Sequence, residues 1–171
     1  MDRLSHLSRR LLIVLCAAAA GVTSGFAPVA ESASAPRDSP SKGDVVPAFE
    51  TTGIDGKVQK VDFPTGSQTV LLFFLSGCSA CHKMIPEWNR AYERRPKQLR
   101  VVGVLMDQEP PDFFSTISIR FPVLRAPGRL FLRSLNVNRA PLALRVGPGG
   151  RIEDLTLGIV DPIRLGEIFR P

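Results

Sequence analysis

The chain is poor in the residues that carry most side-chain chemistry. Its 171 residues include two histidines, three cysteines, one tryptophan and one tyrosine. No Lys/Arg block is interleaved with aromatics, so the formal charge of +6 reads as a solvated basic surface and no nucleic-acid partner is expected. Long apolar runs are also lacking. The stretch from Leu11 to Phe26 is 16 residues, short of the roughly 20 that a membrane-spanning helix needs. No segment repeats. Any rich chemistry must therefore come from very few side chains.

The N-terminus carries the pattern of an export signal over residues 1–30. Arg3, Arg9 and Arg10 form a basic start, and Leu11 to Ala20 is uninterrupted and apolar. Small residues follow, with Ala18-Ala19-Ala20 as a small-x-small cleavage site. A retained membrane anchor is the alternative reading. Cys16 follows Leu15, where a lipoprotein signal requires a small residue, so it belongs to the apolar stretch. Without residues 1–30 the chain has 19 basic and 15 acidic residues, a charge of +4, and only Cys78 and Cys81 for cysteine chemistry. Export places that pair in an oxidising compartment. Residues 31–43 are rich in Ser, Ala and Pro without hydrophobic period, the composition of a flexible linker. Residues 44–171 are the expected folded domain.

Within that domain, Phe49 to Thr52 and Val58 to Val61 flank Gly53-Ile54-Asp55-Gly56 and predict a hairpin. Thr69 to Leu75 is a continuous apolar run, as expected of a strand buried on both faces. A helix is predicted from Cys81 to about Arg95, stopped by Pro96. Arg100 to Met106 reads as a strand, Asp112 to Arg120 as a helix with Asp112 at its N-cap, and Arg129 to Leu135 as a short helix or turn. Leu142 to Val146 and Arg151 to Leu157 predict strands joined by the turn Gly147-Pro148-Gly149-Gly150. Asp161-Pro162 opens a helix to about Arg170. The order implies an α/β fold, a mixed central sheet flanked by helices with an N-terminal β-hairpin extension.

Cys78-Ser79-Ala80-Cys81-His82 falls at the junction of the central strand and its following helix. Two chemistries share this pattern: a redox-active dithiol, and c-type haem attachment with His82 as an iron ligand. A helix start offers unpaired N–H groups and partial positive charge. A thiolate there is stabilised, which favours Cys78 as the attacking sulfur. Cys81, one turn further in, is placed to resolve a mixed disulfide. The haem reading is weakened because the five residues follow a strand, Met84 is too near to reach around a haem, and Met106 falls in a predicted strand.

The strand-then-Cys-x-x-Cys unit, Val46-Pro47-Ala48-Phe49, Pro86 inside the first long helix and Arg139-Ala140-Pro141 together resemble the exported TlpA/ResA-like group of thioredoxin-fold proteins, over about residues 43–169. The resemblance implies a thioredoxin fold, an extracytoplasmic thiol–disulfide oxidoreductase with a redox-active centre at Cys78 and Cys81, and no cofactor or metal. It implies that Ala140-Pro141 is a cis element that docks substrate backbone beside the cysteines. It further implies a periplasmic or membrane-anchored location, protein disulfide or dithiol substrates such as apocytochrome c in cytochrome c biogenesis, and a membrane or periplasmic electron donor.

Phe73 to His82 also resembles the MauD-like branch, associated with disulfide formation. The sequence departs from family habit at Gly77, where a Trp is usual. It departs again at Met84 and Leu72, where relatives or thioredoxin itself carry a carboxylate able to relay the proton of the resolving thiol. His82 is the candidate proton partner in their place. A peroxiredoxin needs a hydroxyl residue where Leu75 stands and a proline where Leu72 stands. A metal-delivery role would rest on two thiols and the adjacent His82, a poor tetrahedral set.

Overall fold

The computed structural model describes residues 37–170; the leader expected at 1–30, with Cys16, and the first part of the expected linker lie outside them. The elements in chain order are β1 Phe49–Thr52, β2 Val58–Val61, β3 Gln68–Phe74, α1 Ser79–Arg94, β4 Leu99–Leu105, α2 Phe113–Thr116, β5 Val123–Arg125, α3 Arg129–Ser134, β6 Leu142–Val146, β7 Ile152–Leu157 and α4 Pro162–Ile168. No helix among the described residues is long and apolar enough to cross a membrane.

The strand β3 sits at the centre of a five-stranded sheet of order β5-β4-β3-β6-β7. It runs parallel to β4 and antiparallel to β6; β4 and β5 are parallel, and β6 and β7 antiparallel. Alternation of side chains explains its unbroken apolar run. Val70, Leu72 and Phe74 face one core with Ile85 and Trp88 of α1 and Leu165 and Ile168 of α4. Leu71 and Phe73 face a second core with Val61, Leu135 and Leu144. Both faces are covered, as a mixed sheet between helices requires. The β1–β2 hairpin forms its own two-stranded sheet and covers the β5 edge through a bridge between Gly53 and Leu124. A thioredoxin-like fold with an N-terminal hairpin results.

Residues 37–43 pack on the domain rather than standing apart from it. Gly43 N–H donates to Ile152 O at 2.8 Å, and Arg37 pairs with Asp44 at 3.1 Å.

The helix expected from Asp112 to Arg120 does not form over that range. The predicted helix is a single turn, Phe113–Thr116, and Ile117 is already extended. Asp112 makes no side-chain cap; its carbonyl accepts from Ser115 and Thr116 instead. Beyond the turn, the Asn89 side chain of α1 donates to Ser118 O at 2.8 Å and accepts Arg120 N–H at 2.9 Å, taking the place of helical bonds. The freed chain then enters β5, a short strand that the sequence reading did not resolve. Met106 lies just past the end of β4 instead of inside it.

Candidate functional site

Cys78 is the N-cap of α1, in extended conformation, and its sulfur accepts the backbone N–H of Cys81 at 3.1 Å. Both cysteines are free thiols. Cys78 is half-buried, whereas Cys81 is fully buried within the core formed by β3, α1 and α4. Burial chiefly, and next the hydrogen bond with Cys78, push the Cys81 thiol up to about 12. Negative charge at Asp107 adds to the same direction. The pair is therefore unequal: one sulfur at a helix start and within reach of solvent, the other held as a thiol inside the core.

The loop before β6 closes the site. The Ala140–Pro141 peptide bond is cis. The Cys78 thiol donates to Ala140 O at 3.9 Å, a long contact to sulfur. Gly158 N–H ties the following loop to Pro141 O at 2.8 Å. Ala140 and Pro141 are thus brought against Cys78.

His82 is brought near but points elsewhere. Its Nε2 lies 2.6 Å from Ser76 O. A carbonyl only accepts, so Nε2 carries the proton and donates. Among the described residues no hydrogen bond joins the imidazole to either sulfur. On one side of the site a groove of about 430 Å³ is lined by His82, Pro86, Asn89 and Ile117. On another, a cleft of about 610 Å³ is lined by Met106, Asp107, Glu109 and Arg125. In that cleft Arg125 forks onto Glu109 and holds its carboxyl below the usual carboxylate range.

Asp107 is the residue that sequence reasoning missed. Leu72 and Met84 are buried apolar side chains, as read from the sequence. A carboxylate nevertheless reaches the site from the neighbouring strand: Asp107 accepts from Ser76 N–H at 2.9 and 3.1 Å and from the Ser76 hydroxyl at 2.8 Å. The signal lies in register. Phe74 pairs with Leu105 at the ends of the parallel strands, so Ser76 and Asp107, each two residues past those ends, emerge side by side.

No group of three or more His, Cys, Asp or Glu side chains that could hold a metal is gathered among the described residues. The positions where a peroxiredoxin would carry proline and a hydroxyl hold Leu72, which is buried, and Leu75. Chemically, the arrangement offers one accessible sulfur and one buried sulfur a helical turn apart, facing a cis X-Pro loop.

A family model described as AhpC/TSA family matches residues 42–154. No curated protein sequence matches the chain. Among solved structures, StoA from Bacillus subtilis is similar at 21% identity and a TM-score of 0.62, over 72% of this chain and 97% of that one. A Chlorobium tepidum protein described as thiol:disulfide interchange protein DsbE is 26% identical with a TM-score of 0.61, over 76% of this chain and 96% of that one. A secreted Mycobacterium tuberculosis disulfide oxidoreductase, described as homologous to E. coli DsbE, is 19% identical with a TM-score of 0.59, over 71% and 93%. The matched family contains redox enzymes. With well over half of its length matched, and with the sheet order described above, the chain belongs to the AhpC/TSA family.

Proposed function

We propose that the protein is an extracytoplasmic thiol–disulfide oxidoreductase of the TlpA/ResA-like kind that reduces protein disulfides, with apocytochrome c as the expected substrate class. The carrying observation is the inequality of the pair: Cys78 caps α1 and accepts the Cys81 N–H, while Cys81 is buried. The export pattern of residues 1–30 and the secreted M. tuberculosis relative support a site outside the cytoplasm, facing the periplasm, with the leader either cleaved or kept as an anchor.

In the reaction, the Cys78 thiolate attacks one sulfur of a substrate disulfide. A Cys78–substrate disulfide forms, the substrate S–S bond breaks, and the other substrate sulfur leaves as a thiolate that takes up a proton. Cys81 then loses its proton and attacks the Cys78 sulfur. The Cys78–Cys81 disulfide forms, the Cys78–substrate bond breaks, and the second substrate sulfur leaves as a thiolate that takes up the equivalent of the proton Cys81 released. The substrate has gained two electrons and the dithiol has lost them. A membrane or periplasmic dithiol donor returns the pair to its reduced form. Ala140 and Pro141 supply the surface that lines up the substrate backbone against Cys78. His82 braces the turn before Cys78 through Ser76 O.

The test is a trapping experiment. Cys81→Ala incubated with an oxidised protein substrate should accumulate a mixed disulfide at Cys78, and Cys78→Ala should exchange nothing. Absence of any adduct in Cys81→Ala would overturn the reading. The reduction potential then decides direction: a strongly negative value supports the reductant, and one near that of known oxidants supports a MauD-like disulfide-forming role.

A further inference from the structure

The helix α4 carries a glycine that the fold does not require. Gly166 lies inside Pro162–Ile168, and a Cβ placed there would meet no atom within 4 Å. Its backbone is outside the left-handed region that favours glycine. In a helix interior only proline is less favourable. What the missing side chain leaves is space. A trough of about 500 Å³ runs between α4 and α1, lined by Ala91 and Gly166 together with the buried Leu165 and Phe169. Ile163, one helical turn before Gly166, is 80% exposed and extends the apolar surface.

The same trough carries positive charge where α1 ends, at Arg94 and Arg95. Arg95 is held in place. Its guanidinium lies 3.6 Å from the centre of the Tyr92 ring, Nη1 donates to Tyr92 O at 2.6 Å, and Nε donates to Leu99 O at 3.2 Å. Among the described residues neither Arg94 nor Arg95 meets a carboxylate, and Arg95 Nη2 has no partner. Arg90, the third arginine of the trough, is neutralised by Glu87. A fixed, planar guanidinium with donors to spare is suited to a carboxylate.

We propose that the trough between α1 and α4 binds a free single-chain carboxylate, with its apolar chain over Ala91 and Gly166 and its head at Arg94 and Arg95. Both halves of that chemistry are needed. An inorganic anion would leave the apolar lining unused, and a neutral chain would leave two guanidinium groups unpaired. Size points to a small molecule. The volume falls within the range of about 300–1,000 Å³ usual for ligand sites. A stable protein partner covers about 800 Å² on each side, with roughly 20–30 residues. From Glu87 to Arg95 the trough follows only about two turns of α1. At about 1.5 Å per residue it starts roughly 14 Å along the helix from Cys78, so its ligand does not occupy the cysteine site. The proposal therefore stands apart from the oxidoreductase reading.

The test titrates the isotope-labelled full chain with sodium decanoate, kept below its micelle concentration, and follows backbone amides by NMR. The amides of Ala91, Arg95 and Gly166 should shift saturably. Decyltrimethylammonium, with the same chain and the opposite charge, should leave them in place at equal concentration. Gly166→Leu puts a side chain into open space, so the fold is kept and saturable binding should be lost. Arg94→Gln combined with Arg95→Gln should weaken decanoate about tenfold or more, because the charge-assisted pairing is gone. These variants lie on different helices, so misfolding of one leaves the other to decide. Absence of saturable shifts at the three amides, parental affinity in Gly166→Leu, or equal binding of the cation overturns the proposal. Two further outcomes overturn it by giving the trough another occupant. One is self-association in sedimentation that Gly166→Leu abolishes, which assigns it to a second copy. The other is binding to phosphatidylglycerol vesicles, but not to decanoate, that the arginine variant abolishes.

Discussion

Cys78 Sγ receives the backbone N–H of Cys81 at 3.1 Å, although the Cys81 side chain itself is wholly buried. One residue thus stabilises its partner's sulfur through its backbone while its own thiol is withheld from water. The reactivity of the two should differ accordingly. At pH 7, iodoacetamide should label Cys78 and leave Cys81 unmodified, as read by mass spectrometry of the peptides. Labelling of Cys81 should grow only as pH climbs towards its raised value of about 12. In denaturant both should react alike. Equal labelling of the two in the folded protein would contradict the burial of Cys81.

Much of the fold around this pair was legible in the sequence because its signals are local. Asp161-Pro162 opens α4 as read, with Asp161 Oδ1 accepting the N–H groups of Ile163 and Arg164 at 2.9 Å each. Pro96 ends α1 as read, with Arg95 extended before it. The strands β1, β2 and β6 keep the bounds that alternation and turn residues indicated. Residues 112–125 were not legible, because the bonds that hold Ser118 and Arg120 extended come from Asn89, about 30 residues earlier. Asp107 was missed for a related reason. Its meeting with Ser76 depends on the pairing of β3 with β4, and nothing in the local pattern of either strand states that register.

Asn89 should therefore matter for stability more than a polar helix residue usually does. It is 9% exposed, and its amide satisfies one carbonyl and one N–H of a segment without regular structure. Asn89→Ala leaves both backbone groups without that partner, which should cost about 1–3 kcal/mol in denaturant unfolding. Amide exchange at Arg120 should accelerate. Asn89→Asp keeps the acceptor for Arg120 N–H and loses the donor to Ser118 O, so its cost should be smaller and the Arg120 amide should stay protected. A loss of protection as large as in the alanine variant would show that the amide does not hold this segment.

The clamp of α4 onto β7 should be sensitive to acid. Both guanidinium nitrogens of Arg164 fork onto the two oxygens of Asp154, at 2.8 and 2.7 Å, and this hydrogen bonding holds the Asp154 carboxyl below its ordinary value of 3.8. The folded state then takes up the proton at lower pH than the unfolded chain does. Stability from the pair is complete above the ordinary value and is lost as pH falls through the depressed one. Asp154→Asn should cost about 0.5–1 kcal/mol at pH 7, a size typical of a partly exposed pair. The difference between variant and parent should shrink as pH drops below 4 or so. A gap that stays constant down to pH 2 would mean that packing, not charge, joins these elements.

Gly103 leaves no room for a side chain, and the reason is space alone. A Cβ there would fall 2.7 Å from the Phe121 ring and 3.1 Å from Phe74, in the middle of β4. Phe74 packs edge-on to Trp88 with ring centroids 6.4 Å apart, so neither ring can shift without disturbing the core beneath α1. Gly103→Ala should overpack this point and cost about 1–3 kcal/mol in urea unfolding. The cost should fall when Phe121→Leu is added, giving a non-additive pair, because the smaller side chain removes the contact that the new methyl meets. Labelling of Cys78 should be unaffected in either variant, since Ser76 and Asp107 hold its turn from the strand ends. Additive costs for the two substitutions would show that backbone conformation, and not the Phe121 ring, is what requires glycine at this position.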